Sequence, residues 1–214
     1  MTLHFLNYVR NSSSTLSRVI LGMLLLCGSA HAASIFHVTV NTSSLIGSSS
    51  APFALDFQFN NGTTLNNNTA VVNNFTYSGG GATGSATALG GATGNIASSV
   101  VFNNSSAFQE LFQTFNPGST LGFDVNLATF LDGPTPDAFV FAILDKNLGN
   151  IPTTGLGDSL LLVNVNSANP AKQTFAGIGA FATVTVFATP EPASYLLLLI
   201  AAVPLFVFAR RGAS

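Results

Sequence analysis

The sequence predicts an all-β protein, an antiparallel β-sandwich of jelly-roll type with one short helix. Apolar and polar residues alternate along several short segments, and turn-forming Gly, Asn, Pro and Ser separate them. Only one stretch has the period of a helix. Charged residues are 7% of the chain, against roughly 25% in an ordinary soluble protein. Nineteen Phe supply large side chains for a core between two sheets.

The alternating segments are typical of strands that have one buried face in an antiparallel sheet. They are Phe36 to Asn41, Phe53 to Phe59, Leu121 to Ala128, and Thr183 to Val186. Ala138 to Leu144 is apolar on both faces, which predicts a central strand. Leu160 to Val165 begins in the same way.

The helical period occurs between residues 106 and 116. The predicted apolar face consists of Phe108, Leu111, Phe112 and Phe115. Ser106 and Gln109 have the spacing of a capping box, and Glu110 falls in the first turn. Asn116-Pro117-Gly118 is a stop signal. We therefore expect a short helix that closes one end of the sheet core.

A weak repeat lies at residues 80–99. Gly80-Gly81-Ala82-Thr83-Gly84 recurs ten residues later as Gly90-Gly91-Ala92-Thr93-Gly94. The spacing and the Gly-Gly junctions predict a hairpin of small residues. Its simplest interpretation is a surface hairpin without a special role. The alternative is a flat edge that pairs with another chain.

The N-terminus has the features of a signal peptide. Arg10 and Arg18, with no acid, precede an apolar run from Val19 to Leu26. Ala30-His31-Ala32 matches the A-x-A site of signal peptidase. We expect cleavage after Ala32, which makes 1–32 the signal peptide and 33–188 the β-sandwich domain. The apolar run is too short for a membrane anchor, which needs about 20 residues.

The single cysteine, Cys27, lies within this apolar run and leaves a second interpretation open. A lipoprotein signal would use it, but Leu26 stands where such a signal has a small residue. The mature domain then contains no cysteine, so disulfides and thiolate chemistry are excluded from it.

The charges of the mature domain exclude one class of partner. Between the two ends lie only two cations, Lys146 and Lys172. The acids there are Asp56, Glu110, Asp124, Asp132, Asp137, Asp145 and Asp158. Seven acids against two lysines give a net charge near −5. Nucleic-acid binding needs a basic surface to neutralise phosphates, so we expect no nucleic-acid partner.

The C-terminus, residues 189–214, has three parts in a fixed order. Pro190-Glu191-Pro192 comes first, an apolar segment from Ala193 to Ala209 follows, and Arg210-Arg211 comes last. As a helix the apolar segment would span about 26 Å. The arginines are expected to stay in the cytoplasm by the positive-inside rule. These parts predict a short transmembrane helix with its C-terminus inside.

This arrangement resembles the PEP-CTERM sorting tags, over about the last 25 residues. The resemblance implies recognition by an exosortase, a membrane-embedded cysteine protease or transpeptidase. It also implies a Gram-negative host that makes exopolysaccharide. The tail would be removed near the PEP motif, and the domain would leave the inner membrane for the cell surface or the medium. A plain C-terminal anchor is the alternative.

The middle of the chain is similar to a small uncharacterised PEP-CTERM family. The similar stretches are Phe36 to Thr42, Ile151 to Asp158, and Thr174 to Gly177. This resemblance implies no activity and no site residues.

No set of catalytic residues is evident in the mature domain. His37 is its only histidine, and its position on the polar face of a strand predicts a solvent-facing side chain. With one histidine and no cysteine, a triad or a histidine metal cluster would need carboxylates to complete it. No pair of carboxylates has the spacing of a glycosidase site, and we expect no enzyme.

Calcium is the small ligand that the sequence favours most. Asp132 and Asp137 bound a tight acidic turn, and Asp145 ends the following strand. Calcium prefers several oxygen ligands from such loops. The alternative is that these aspartates only stabilise turns through local hydrogen bonds.

Two functions follow from these features. The first is an exported surface or extracellular-matrix protein, structural or biofilm-associated. The second is a carbohydrate-binding module or adhesin, calcium-assisted, that binds exopolysaccharide through a shallow site of Asn and Asp. An enzyme that uses carboxylates alone is a third and weaker alternative.

Overall fold

The computed structural model describes residues 33–62, 68–103, 105–128, 135, 137–165 and 171–190. Thirteen strands and three single-turn 3₁₀ helices lie in these ranges. The all-β prediction is therefore confirmed. The predicted signal peptide and the predicted transmembrane segment lie outside the described residues. Within the described ranges, no helix has the length and apolar character needed to cross a membrane.

The strands are short and follow one another closely. They are β1 (Ala33–Asn41), β2 (Phe53–Asn60), β3 (Thr69–Tyr77), β4 (Gly81–Ala82), β5 (Thr87–Leu89), β6 (Thr93–Gly94), β7 (Val100–Phe102), β8 (Phe108–Asn116), β9 (Thr120–Ala128), β10 (Asp137–Leu144), β11 (Leu161–Val165), β12 (Ala171–Thr174) and β13 (Thr183–Pro190). The 3₁₀ turns are Ser43–Leu45, Leu156–Asp158 and Ile178–Ala180.

Two antiparallel sheets form a sandwich. The first sheet has the order β13-β1-β9-β3-β7-β6. The second has the order β12-β11-β10-β2-β8-β4, and β5 also pairs with β8. Most connections cross from one sheet to the other. As a result, strands β1-β9-β3-β7 of the first sheet face strands β2-β8-β4 of the second. This is the strand order of a jelly roll, extended by β13 beside β1 in the first sheet and by β10 to β12 beside β2 in the second.

The core lies between the two sheets and is rich in Phe. Phe57, in β2, is at its centre, and its ring is within 6.3 Å of four others. These four are Phe75, Phe123, Phe139 and Phe141. The predicted alternation in β1, β2 and β9 is confirmed, because the apolar residues that alternate with polar ones in these strands face this core. The prediction of a central strand at β10 is also confirmed.

The predicted helix at residues 106–116 is wrong. This segment forms β8, which pairs along its length with β2. The inward positions are Gln109, Leu111, Gln113 and Phe115, all buried. Because two of these four are glutamines, the buried face of β8 is not uniformly apolar. The alternation of apolar and polar residues that marks a strand is therefore not visible in the sequence. The backbone pairing with β2 and the two buried amides outweigh the local helical pattern.

The predicted hairpin of small residues is also wrong. The first copy of the repeat lies in β4, which pairs with β8, and the second lies in β6, which pairs with β7. The two copies therefore belong to different sheets. At Gly90, which has φ of 64°, a Cβ would collide with the carbonyl oxygen of Phe108. The glycine allows the chain to pass close to β8 as it crosses between sheets.

Candidate functional site

The outer face of the first sheet carries a cluster of hydrogen-bonded polar side chains, His37, Asn74 and Asp124, here named the Asp124 cluster. Since a carboxylate only accepts, Nδ1–H of His37 donates to Oδ1 of Asp124 at 2.7 Å. Nδ2 of Asn74 donates to Oδ2 of the same carboxylate at 2.8 Å. Both oxygens of Asp124 are thus held, and Nε2 of His37 is the ring nitrogen left for a ligand.

The cluster arises from the register of three strands. His37 in β1 lies opposite Asp124 in β9, and Asp124 lies opposite Asn73 in β3. A bulge in β3 follows Asn73 and gives Asn74 a φ of 55°. Asn tolerates this left-handed conformation better than most residues, and the bulge turns its amide towards Asp124. Asn126 adds a second amide contact, from Nδ2 to Oδ1 of Asn73 at 3.1 Å.

The surroundings of the Asp124 cluster are open to solvent. The side chain of His37 is 48% exposed, which confirms the prediction that it faces solvent. Phe187, opposite His37 in β13, is 67% exposed. Gly122 allows the side chain of Thr76 to pack against β9, since a Cβ there would lie 2.5 Å from the Oγ1 of Thr76. A shallow face of amide, carboxylate and imidazole groups beside an exposed ring is suited to hydroxyl-rich ligands.

The outer face of the second sheet carries two carboxyl groups that the sequence did not place together, Asp56 and Glu110. We call them the carboxyl pair. Gln58 lies between them, with its Nε2 2.7 Å from Oδ2 of Asp56 and 3.5 Å from Oε1 of Glu110. Asp56 is 1% exposed, and its Oδ1 has no hydrogen-bond partner. Glu110 and Gln58 are half-buried and form the accessible side of the pair.

Burial raises the pKa of Asp56 to about 7. The hydrogen bond from Gln58 opposes this rise, while repulsion from Glu110 and hydrogen bonding with it add to it. Asp56 therefore holds a proton at pH values below about 7.

The register of β2 and β8 creates the carboxyl pair. Gln58 lies opposite Glu110, and Asp56 lies opposite Phe112. The sequence did not predict this contact, because Glu110 was assigned to a helix. The signal that was available is the strict alternation Phe53 to Phe59, which puts Asp56 and Gln58 on one face of β2.

The predicted calcium ligands do not come together. Asp137 begins β10 and Asp145 follows its end, so the eight-residue strand separates them by roughly 25 Å. One ion cannot contact both, and the three-aspartate site is wrong in that form. Asp132 lies outside the described residues. Among those that are described, no group of three His, Cys, Asp or Glu side chains has the arrangement of a metal site.

Asp137 and Asp145 each accept hydrogen bonds that stabilise the fold. Asp137 is buried and accepts from the backbone N–H of Gly62 and from Nδ2 of Asn68, both at 2.7 Å. Oδ1 of Asp145 accepts from the backbone N–H groups of Asn147 at 2.8 Å and Gly149 at 3.1 Å. Asp145 thus has the turn-stabilising role that is the alternative to calcium binding. Asp137 instead joins the start of β10 to Gly62 and Asn68, which are 75 and 69 positions away.

The predicted processing residues lie at or beyond the edge of the described chain. Pro190 is the last residue of β13 and lies opposite Ser34, near the start of β1. The signal cleavage residues Ala30 and Ala32, the motif residues Glu191 and Pro192, and the basic pair Arg210 and Arg211 are all outside the described residues.

Comparisons with known proteins add no relative. A scan against protein-family models, a search of the curated proteins and a search of the solved structures each found no match to this chain.

Proposed function

We propose that this chain is an exported bacterial surface or matrix protein, sorted by an exosortase, with a structural or biofilm-associated role and no catalysis. The observation that carries the proposal is the pairing of β1 with β13, in which Ser34 lies opposite Pro190. Ser34, the second residue after the predicted cleavage site, and Pro190, the first residue of the PEP motif, therefore lie side by side at one end of the sandwich. We expect the signal peptide and the sorting segment to adjoin the domain there. Both segments can enter the same membrane while the domain folds outside it.

The composition of the core supports the same proposal. Among the residues that the structure describes, every side chain of the buried cluster lies between Phe36 and Ala182. This buried cluster of the described residues therefore lies within the predicted mature domain, 33–188. A domain that loses both ends during export has to keep its fold without them.

The test is the mass of the protein recovered from the surface and medium of its native host, with and without the exosortase. The proposal predicts a chain that begins near Ala33 and ends near Pro190, and this product should disappear in the deletion strain. A variant with Ala at Pro190, Glu191 and Pro192 should behave as the deletion does. An intact C-terminus in the unmodified host would overturn the sorting proposal and leave a permanent anchor.

The Asp124 cluster favours a second function, binding of carbohydrate at the cell surface. Its amide, carboxylate and imidazole groups offer donors and acceptors for sugar hydroxyls. The exposed ring of Phe187 lies beside His37 and offers an apolar surface for a sugar ring. The cluster is also shallow and open, as an extended polysaccharide requires.

Affinity electrophoresis through the host's own exopolysaccharide tests this second function. The wild-type protein should be retarded, and Asp124→Asn and Phe187→Ala should migrate faster than it. Leu148→Ala is the matched control, because Leu148 is 58% exposed and lies in the turn after β10. A parallel gel without polysaccharide gives the reference migration of each protein. If all four proteins migrate equally in both gels, the proposal of carbohydrate binding is wrong.

A further inference from the structure

The carboxyl pair lacks the partners that buried carboxylates normally have. Oδ1 of Asp56 is buried and accepts no hydrogen bond, while Oδ2 shares the Gln58 amide with Glu110. Buried charges in proteins are usually paired with an opposite charge or coordinate a metal ion. One amide group is a poor replacement for either.

No cationic side chain of the described residues neutralises the pair. The described residues include two lysines, and both form hydrogen bonds elsewhere. Nζ of Lys146 donates to the carbonyl of Ser49 at 2.9 Å, and Nζ of Lys172 donates to the carbonyl of Val186 at 2.7 Å.

The positions that surround the pair are uncharged. Across the sheet, Ala142 of β10 lies opposite Asp56, and Val140 of β10 lies opposite Gln58. On the other side, Leu89 of β5 lies opposite Glu110. The pair is thus a concentration of oxygen ligands in an apolar and weakly acidic setting, where a cation would be favoured.

We propose that Asp56 and Glu110 bind a calcium ion, with the side-chain amide oxygen of Gln58 as a third ligand. The amide of Gln58 would turn by half a rotation, which brings its oxygen to the position that Nε2 now has. The buried Oδ1 of Asp56 gains the partner that it lacks. Water molecules on the half-buried side, next to Glu110 and Gln58, complete the coordination.

The chemistry of the three ligands selects the ion. All are oxygens, and two carry charge, which suits a hard cation better than zinc or copper. Calcium accepts irregular sets of ligands, whereas magnesium demands octahedral geometry and retains its water. With only three protein ligands we expect a dissociation constant on the order of 10⁻⁴ to 10⁻³ M, as in extracellular modules. The proposal does not depend on how the chain is sorted.

Calorimetric titration of the full chain in detergent with calcium, after removal of metal ions, tests the proposal. We expect one site per chain in the wild type. In Asp56→Asn and Glu110→Gln the affinity should fall roughly ten-fold or more. Asp145→Asn is the matched control, because it removes an aspartate from a turn at one end of β10, and it should bind as the wild type does.

Gln58→Glu keeps the test decisive if the two weakening variants are unstable. A third carboxylate at the same place should tighten calcium binding by roughly ten-fold, whereas a purely structural role for these residues predicts no gain. Absence of calcium binding by the wild type at millimolar concentration would overturn the proposal. So would calcium binding that is equal in the wild type, Asp56→Asn and Glu110→Gln.

Discussion

The side chain of Gln113, in β8, forms hydrogen bonds inside the sandwich to the backbone of Gly84 and of Ile96, which lie in the segment that crosses from the second sheet to the first. Its Oε1 accepts from the backbone N–H of Ile96 at 3.0 Å, and its Nε2 donates to the carbonyl of Gly84 at 3.0 Å. Backbone groups that are buried away from the ladders need such partners. Where a segment passes between two sheets, its backbone cannot pair with a neighbouring strand. The side-chain amide of Gln113 supplies hydrogen bonds in place of that pairing.

Gln113→Met should therefore destabilise the protein by about 1 to 3 kcal/mol, because the buried N–H of Ile96 loses its partner and the carbonyl of Gly84 loses the Nε2 donor. Gln109→Met is the matched control on the same face of β8. Gln109 accepts from the N–H of Asn103 at 3.2 Å, but its Nε2 is already unpaired, so its replacement should cost less. Urea denaturation of both variants measures the difference. Equal losses would contradict the role assigned to Gln113.

The inward glutamines also explain where prediction from the sequence ended. In β1, β2 and β9 the apolar residues of the alternation face the core, so alternation alone predicts these strands and their faces. In β8 the buried face carries Gln109 and Gln113, and the apolar Phe108 and Phe112 lie on the other face. Their positions form a helical pattern by coincidence. Only the partner segments, which lie far away in sequence, determine that this stretch is a strand.

Gly90→Ala should destabilise the protein by roughly 2 to 4 kcal/mol. The added Cβ would collide with the carbonyl of Phe108, and φ of 64° disfavours any other residue. Gly81→Ala is the control from the first copy of the repeat. A Cβ at Gly81 meets nothing within 4 Å, and its φ is not positive. Thermal unfolding should show a large loss for the first variant and almost none for the second.

Asn74→Ala and Asn74→Gly separate two contributions of the bulge in β3. Both remove the hydrogen bond to Asp124, but only glycine accepts the φ of 55° without strain. We expect Asn74→Ala to be less stable than Asn74→Gly by about 1 kcal/mol. Denaturant titration of the two variants checks this. If Asn74→Ala were the more stable variant, backbone strain at the positive φ would not be the property that determines which residue is favoured at position 74.

The two polar clusters differ in how far the sequence could predict them. His37 and Asp124 were both assigned to polar faces of strands, and only the pairing of β1 with β9 was needed to join them. Asp56 and Glu110 are 54 positions apart by their residue numbers, 56 and 110, and one of them was placed on a helix. A contact between strands depends on register, which a single sequence does not specify here.

Asp56 should make the stability of the protein depend on pH between about 4 and 7. In the unfolded chain it releases its proton near its ordinary pKa of 3.8, but in the folded state the pKa is raised to about 7. Between these values the folded protein binds more protons, so the free energy of unfolding falls as the pH rises. Above pH 7 this contribution is constant, because both states are then ionised.

Asp56→Asn should remove this dependence and be more stable than the wild type at pH 8, by roughly 1 to 4 kcal/mol. The measurement is denaturant unfolding at several values between pH 4 and pH 8, with a chelator present. Asp145→Asn serves as the control, because its carboxylate lies in an exposed turn, and it should keep the slope of the wild type. A wild-type stability that rises between pH 5 and pH 7 and a slope that persists in Asp56→Asn would together show that another group is responsible. In place of the chelator, calcium ions at millimolar concentration should flatten the slope of the wild type and of Asp145→Asn, because a cation at the carboxyl pair stabilises the ionised form of Asp56 and lowers its pKa.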